Sequence, residues 1–134
     1  MRHIILKKIS IANSLFLIII FFFLSCQKMS DNGDFDGFWQ LTSIKDKTTD
    51  TEQKTNDCYL SFYLDMMSLQ KGGTCFGRFE ITDDSLKVNM INGNLDFISN
   101  FGFESLNENF AVNKISSKYL VLESKNKIIS YRKW

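Results

Sequence analysis

The sequence predicts an all-β domain, a small antiparallel up-and-down barrel of seven to eight strands, on three observations. Apolar and polar residues alternate with period two over short segments. The segments are separated by clusters of Gly, Asn, Asp and Ser, the punctuation left to a chain that has no proline. Beyond residue 26 no long stretch carries a 3.6-residue apolar period. Hairpin-length connections favour up-and-down order, and closing the sheet removes its exposed edges.

The elements follow in order. In residues 37–44, GFWQLTSI, Trp39, Leu41 and Ser43 alternate with Phe38, Gln40 and Thr42. A polar loop covers residues 45–57. Residues 58–70, CYLSFYLDMMSLQ, read as one long strand rich in aromatic residues, and Gly72-Gly73 supplies a turn where a left-handed backbone costs little. Residues 74–82 return, DDS turns again, and residues 86–91 alternate Leu86, Val88 and Met90 with Lys87 and Asn89. Residues 92–109 have weak periodicity and read as loop with a short helical turn, or with an eighth strand hidden in 92–103. The last three strands are FAVNKI (110–115), YLVLES (119–124) and IISYRKW (128–134).

Ahead of this domain stands FLIIIFFFLSCQKMSD. Arg2, Lys7 and Lys8 precede ten apolar residues, 15–24, fewer than the roughly 20 that a helix needs to cross a bilayer core. A basic region, a short apolar run and a small residue, Ser25, describe a secretory signal peptide over residues 1–25. FLSC resembles the lipobox of bacterial lipoproteins, which implies cleavage after Ser25, acylation of Cys26 and the lipid bilayer as a partner. More than one acyl chain makes such anchoring stable. Residues 26–36, polar and acidic, read as a disordered tether, and 37–134 as the folded domain.

Removing the first 25 residues leaves 109 of the 134, enough for one domain with a real core. Thirteen basic residues then face fifteen acidic ones and no basic stripe survives, which argues against nucleic acid. The only histidine, His3, leaves with the signal peptide. The domain thus lacks the commonest general base and the commonest zinc ligand, and neither enzyme activity, metal nor cofactor is expected. Asp83 and Asp84 belong to a turn, where carboxylates bind backbone amides. Asp65 and Glu80 would pair across the hairpin as two partly solvated strand residues. With Gly72-Gly73 as a two-residue turn, Cys75 faces Gln70 and Cys58 lies twelve residues further along. At about 3.4 Å per residue that separation is roughly 40 Å, so both thiols are expected to be free and buried.

Gly37-Phe38-Trp39 on the first strand and Arg132 on the last resemble the lipocalin pattern. The resemblance implies an indole plugging the closed end of the barrel, with Arg132 stacked across it. The lipidated cysteine, acidic spacer and carboxy-terminal strands are similar to small lipocalin-like lipoproteins of Gram-negative bacteria, which implies an outer-membrane anchor on the periplasmic or cell-surface face. Leu60, Phe62, Leu64 and Met66 share one face of the second strand and are the candidate ligand-lining residues. Tyr59 and Tyr63 make its other face apolar too, so a cover is expected there: the 92–103 loop with Phe97, Phe101 and Phe103, a ligand, or a partner. The reading is a membrane-anchored protein that binds a small apolar ligand. The alternative is an anchored protein–protein interaction module with no ligand cavity.

Overall fold

The structure, a computed structural model, describes residues 2–24 and 32–134. Helix α1 (Arg2–Leu24) comes first, and among the described residues no helix is long and apolar enough to cross a membrane. The predicted acylation site, Cys26, lies outside the described residues.

Nine strands follow: β1 (Gly37–Asp46), β2 (Thr51–Lys54), β3 (Tyr59–Tyr63), β4 (Met66–Gln70), β5 (Thr74–Thr82), β6 (Ser85–Met90), β7 (Asn107–Ile115), β8 (Tyr119–Glu123) and β9 (Lys127–Lys133). All pairings are antiparallel, and β1 pairs with β9 to close the sheet. One edge of β1 receives β3 along residues 37–40 and β2 along residues 43–46. The wall is therefore an eight-stranded barrel, with β2 as a flap on the upper half of β1. The predicted fold class holds.

The strand count holds for a different reason than expected. Residues 58–70 do not form one strand, because the chain reverses at Leu64-Asp65 and Tyr63 pairs with Met66. Leu64 takes a left-handed backbone (φ 56°), which a bulky side chain rarely adopts, and its carbonyl accepts a hydrogen bond from the Asn32 side chain at 2.8 Å. The break supplies the eighth strand. Residues 92–103 hold none and instead carry a short helix, α2 (Leu95–Ser99), capped by the Asn94 side chain on the Phe97 N–H.

Two registers also shift. Gln70 pairs with Thr74 and Leu69 with Cys75, so Lys71-Gly72-Gly73 is a three-residue loop rather than a two-residue turn. A bulge between Leu41 and Ser43 re-phases β1, so that Trp39, Leu41 and then Ile44 face inward. The core is the lumen itself. Trp39, Leu41, Leu60, Phe62, Leu69 and Tyr131 are among its fully buried members. Part of the expected tether is ordered as well: a 3-10 turn (Gly33–Phe35) crosses one end of the barrel and buries Phe35.

Candidate functional site

Strand direction divides the barrel ends. At one end lie the amino-terminal 3-10 turn, the β3–β4, β5–β6 and β7–β8 turns and the last residue of the chain. That end is closed. Trp39 is fully buried and donates its indole N–H to the Phe35 carbonyl at 2.8 Å. Phe35 in turn meets Phe62 edge to face, with ring centroids 5.6 Å apart. The cation over the indole is Lys133, its Nζ 4.2 Å from the ring centroid, and the same ammonium donates to the carbonyls of Asp34 (2.9 Å) and Asp36. Arg132, predicted for this role, faces outward and donates Nε–H to the Gln40 side chain at 2.9 Å. The correction is one of parity: Trp39 pairs directly with Lys133, and a one-residue step along a strand moves a side chain to the other face. Gly37 sits at this seam with a φ of 112°, a backbone that residues with a Cβ rarely adopt.

The opposite end, the mouth, is covered by the connection between β6 and β7, residues 91–106. Ile98, Phe101 and Phe103 are buried, and the Phe103 and Phe110 rings lie 5.0 Å apart. Phe101 and Phe103 therefore enter the lumen and do not supply the cover for the outer face of the second strand, which was one of the three the sequence left open. Glycines allow the close fit. A Cβ on Gly102 (φ 82°) would come within 3.0 Å of Ile129 Cδ1, and one on Gly93 (φ 124°) within 2.9 Å of Cys75 Cβ.

Beneath this lid lie the few polar groups of the interior. Tyr131 pairs with Leu41, whose N–H bonds the Cys58 carbonyl at 2.9 Å, so Tyr131 and Cys58 flank Leu41 on one inward row. The Tyr131 hydroxyl is buried with no hydrogen-bond partner among the described residues. Burial pushes its pKa far up, and the neighbouring Cys58 and Glu108 add to the shift. Glu108 shares the inward parity of Phe110 and accepts the Glu104 N–H at 3.1 Å. Burial raises its pKa too, partly offset by that hydrogen bond. Burial likewise raises both thiols, Cys58 and Cys75. Both cysteines are free, as expected. The break at Leu64-Asp65 brings them nearer than one long strand would, but β4 still separates their strands. Two strand spacings, about 10 Å, exceed the reach of a disulfide.

The sequence profile of a lipocalin-like domain matches residues 19–134, the whole barrel included. The chain belongs to the lipocalin-like family. Two crystal structures from Bacteroides are similar to it. A lipocalin-like protein from Bacteroides uniformis ATCC 8492 superposes with a TM-score of 0.66 at 22% identity, covering 76% of this chain and 100% of that one. An uncharacterized protein from Bacteroides eggerthii DSM 20697 gives 0.65 at 15% identity, covering 75% and 99%. None of the curated proteins compared with the chain matches it.

Of the candidate ligand-lining residues in this lipocalin-like barrel, Leu60 and Phe62 face the lumen. Leu64 and Met66 do not join them: Leu64 is the exposed turn residue, and the reversal turns Met67 inward in place of Met66. Asp65 and Glu80 share the rim of an open concavity of about 350 Å³ on the outer wall, together with Arg78, Lys87 and Asn89. The shifted register makes Phe79, not Glu80, the residue bonded to Asp65, through its N–H at 3.1 Å. Sequence reasoning missed Lys133, Tyr131 and Glu108. Tyr131 reads as one more core aromatic, and Glu108 falls in a stretch with no clear period. The one available signal was a hydroxyl-bearing ring at an inward position where Phe would pack as well.

Proposed function

We propose that the protein is a lipoprotein, anchored through acylated Cys26 at the outer membrane on the periplasmic or cell-surface face. In this reading it holds a small, mainly apolar molecule in the upper lumen, beneath residues 91–106. The observation that carries the ligand reading is the Tyr131 hydroxyl, buried in a mainly apolar interior without a partner among the described residues. Such a group costs about 1–3 kcal/mol, and a ligand with one acceptor atom would satisfy it. The lumen is filled by side chains in this state, so binding displaces Phe101 and Phe103 and swings the lid about its glycines. The signal-peptide part of this reading is supported by the apolar surface of α1, where Ile11, Leu15, Phe16 and Leu17 are exposed.

Titration of the purified protein with environment-sensitive hydrophobic probes tests the ligand reading. Saturable, one-to-one enhancement that weakens in Tyr131→Phe is expected, and linear, unsaturable partition sinks it. The anchor is tested separately by Cys26→Ser, which should leave precursor or soluble protein. Full retention in carbonate-washed membranes would rule out acylation as the anchor.

A further inference from the structure

We propose that the closed end of the barrel rests on the bilayer, with an aromatic and basic rim in the lipid–water interface and the mouth turned away from it. This rests on the anchoring read above. Asn32 is six residue steps beyond Cys26, so even a fully extended chain between them reaches about 20 Å. Asn32 is fastened at the closed end: its amide donates to the Leu64 carbonyl and to the Asp36 carboxylate, both at 2.8 Å. The 3-10 turn that follows is held by the Trp39 indole and the Lys133 ammonium, so the domain has no loose joint beyond Asn32. The membrane that holds an acylated Cys26 therefore lies close to this end.

The surface there suits a lipid interface. Five aromatic rings of the barrel are exposed, and four of them belong to the closed end: Trp134 (70%), Tyr63 (58%), Tyr119 (50%) and Phe38 (49%). Tryptophan and tyrosine favour the headgroup level, where one side of the ring is apolar and the other wet. Charge sets the tilt. Arg132, Lys118 and Lys114 flank Tyr119, with the Lys114 ammonium 5.0 Å from its ring centroid, and they suit anionic headgroups. Asp34, Asp65, Asp83 and Asp84 also lie at this end, on the 3-10 turn and the β3–β4 and β5–β6 turns, so the β8–β9 side, where the basic residues gather, lies nearer the membrane. The lid and the Tyr131 hydroxyl then open toward the aqueous phase, where a soluble donor or acceptor of ligand can reach them.

The chain has two tryptophans, one fully buried and one mostly exposed, which makes the test direct. Full-length protein purified from membranes is reconstituted into phosphatidylethanolamine–phosphatidylglycerol vesicles with acyl chains brominated near the headgroup. After flotation, emission should be quenched by at least about a third relative to unbrominated vesicles, and Trp134→Phe should abolish the quenching. Floating protein with equal quenching in both forms keeps the anchor and overturns the orientation. So does a Trp134 that is unquenched by lipid yet shielded from iodide, which would mean a protein partner or second copy on this face. Protein that fails to float overturns the anchor, and the orientation with it.

Discussion

The two ends of the barrel are built on opposite terms. At the closed end each polar group near the indole has a partner: the Trp39 N–H bonds a carbonyl, and Lys133 covers the ring while bonding two more. At the mouth a hydroxyl is orphaned, a carboxyl is half-desolvated, and the cover is a long connection seated through glycines. The first arrangement maximises local stability. In the proposed reading the second is where a ligand enters, and lids and binding loops are drawn from regions of low local stability. Under that reading, stability and function lie at different ends of one continuous sheet.

The largest test of that contrast is at the closed end. Trp39→Ala should cost about 3–5 kcal/mol, as for large aromatic deletions from cores. Lys133→Ala should cost about 1–3 kcal/mol, from the stacked cation and its hydrogen bonds to carbonyls. Because the two side chains share one contact, the double variant should fall short of the sum by at least about 0.5 kcal/mol, read by denaturant titration. Pairing Arg132→Ala with Trp39→Ala should show simple additivity. Coupling through Arg132 instead would restore the arrangement the sequence suggested.

At the mouth, Gly102→Ala forces a side chain into a left-handed position and against Ile129 and Ile44. A loss of about 1–2 kcal/mol is expected, with faster amide exchange across residues 92–103 than across β1. Uniform loosening of the whole barrel would argue that the connection is no separate lid. Tyr131→Phe should behave oppositely to every closed-end change. It removes an unsatisfied hydroxyl and should stabilise the free protein by about 1–3 kcal/mol while weakening probe binding. A clear destabilisation would show that the hydroxyl is satisfied after all.

The smallest effect is Glu108. Its folded pKa is raised, so the unfolded chain releases the proton first as pH climbs past the ordinary carboxyl value of 4.5. The folded state holds more protons in that window, so this group's contribution to stability declines with rising pH until the folded form has titrated as well. Melting temperatures between pH 4 and 8 should show a decline that Glu108→Gln flattens. An unchanged slope would mean that the carboxyl is fully solvated.

How much was legible follows from the same contrast. The Gly37–Trp39 seam could be read because Gly37-Phe38-Trp39, at the start of the first alternating strand, resembles the lipocalin pattern. Lys133 could not be told from Arg132, because their faces depend on the pairing of β9 with β1, and alternation alone leaves parity open across a bulge. The reversal at Leu64-Asp65 was hidden because Asp65 is the one charged residue in residues 58–70 and its neighbour is a leucine, not a turn former. β2 carries no apolar residue and its strand identity comes from pairing with β1. The rings of the lid were visible, but their direction into the lumen was not, since it is fixed by the left-handed backbones at Gly93 and Gly102.

The closing seam also sets the order in which the chain can acquire its structure. Gln40 and Arg132, which meet across it, are 92 residues apart in sequence. Every other neighbouring pair in the wall is joined by a short connection, by the β2 flap (between β1 and β3) or by the lid segment, so those pairs can form as the chain lengthens. The β1–β9 pair cannot, because bringing its ends together costs loop-closure entropy that local contacts do not repay. A nascent or clipped chain lacking residues 127–133 would present two unpaired strand edges, on β1 and β8, each a template for another chain. The last seven residues of the sheet are thus its safeguard against aggregation as well as its final strand.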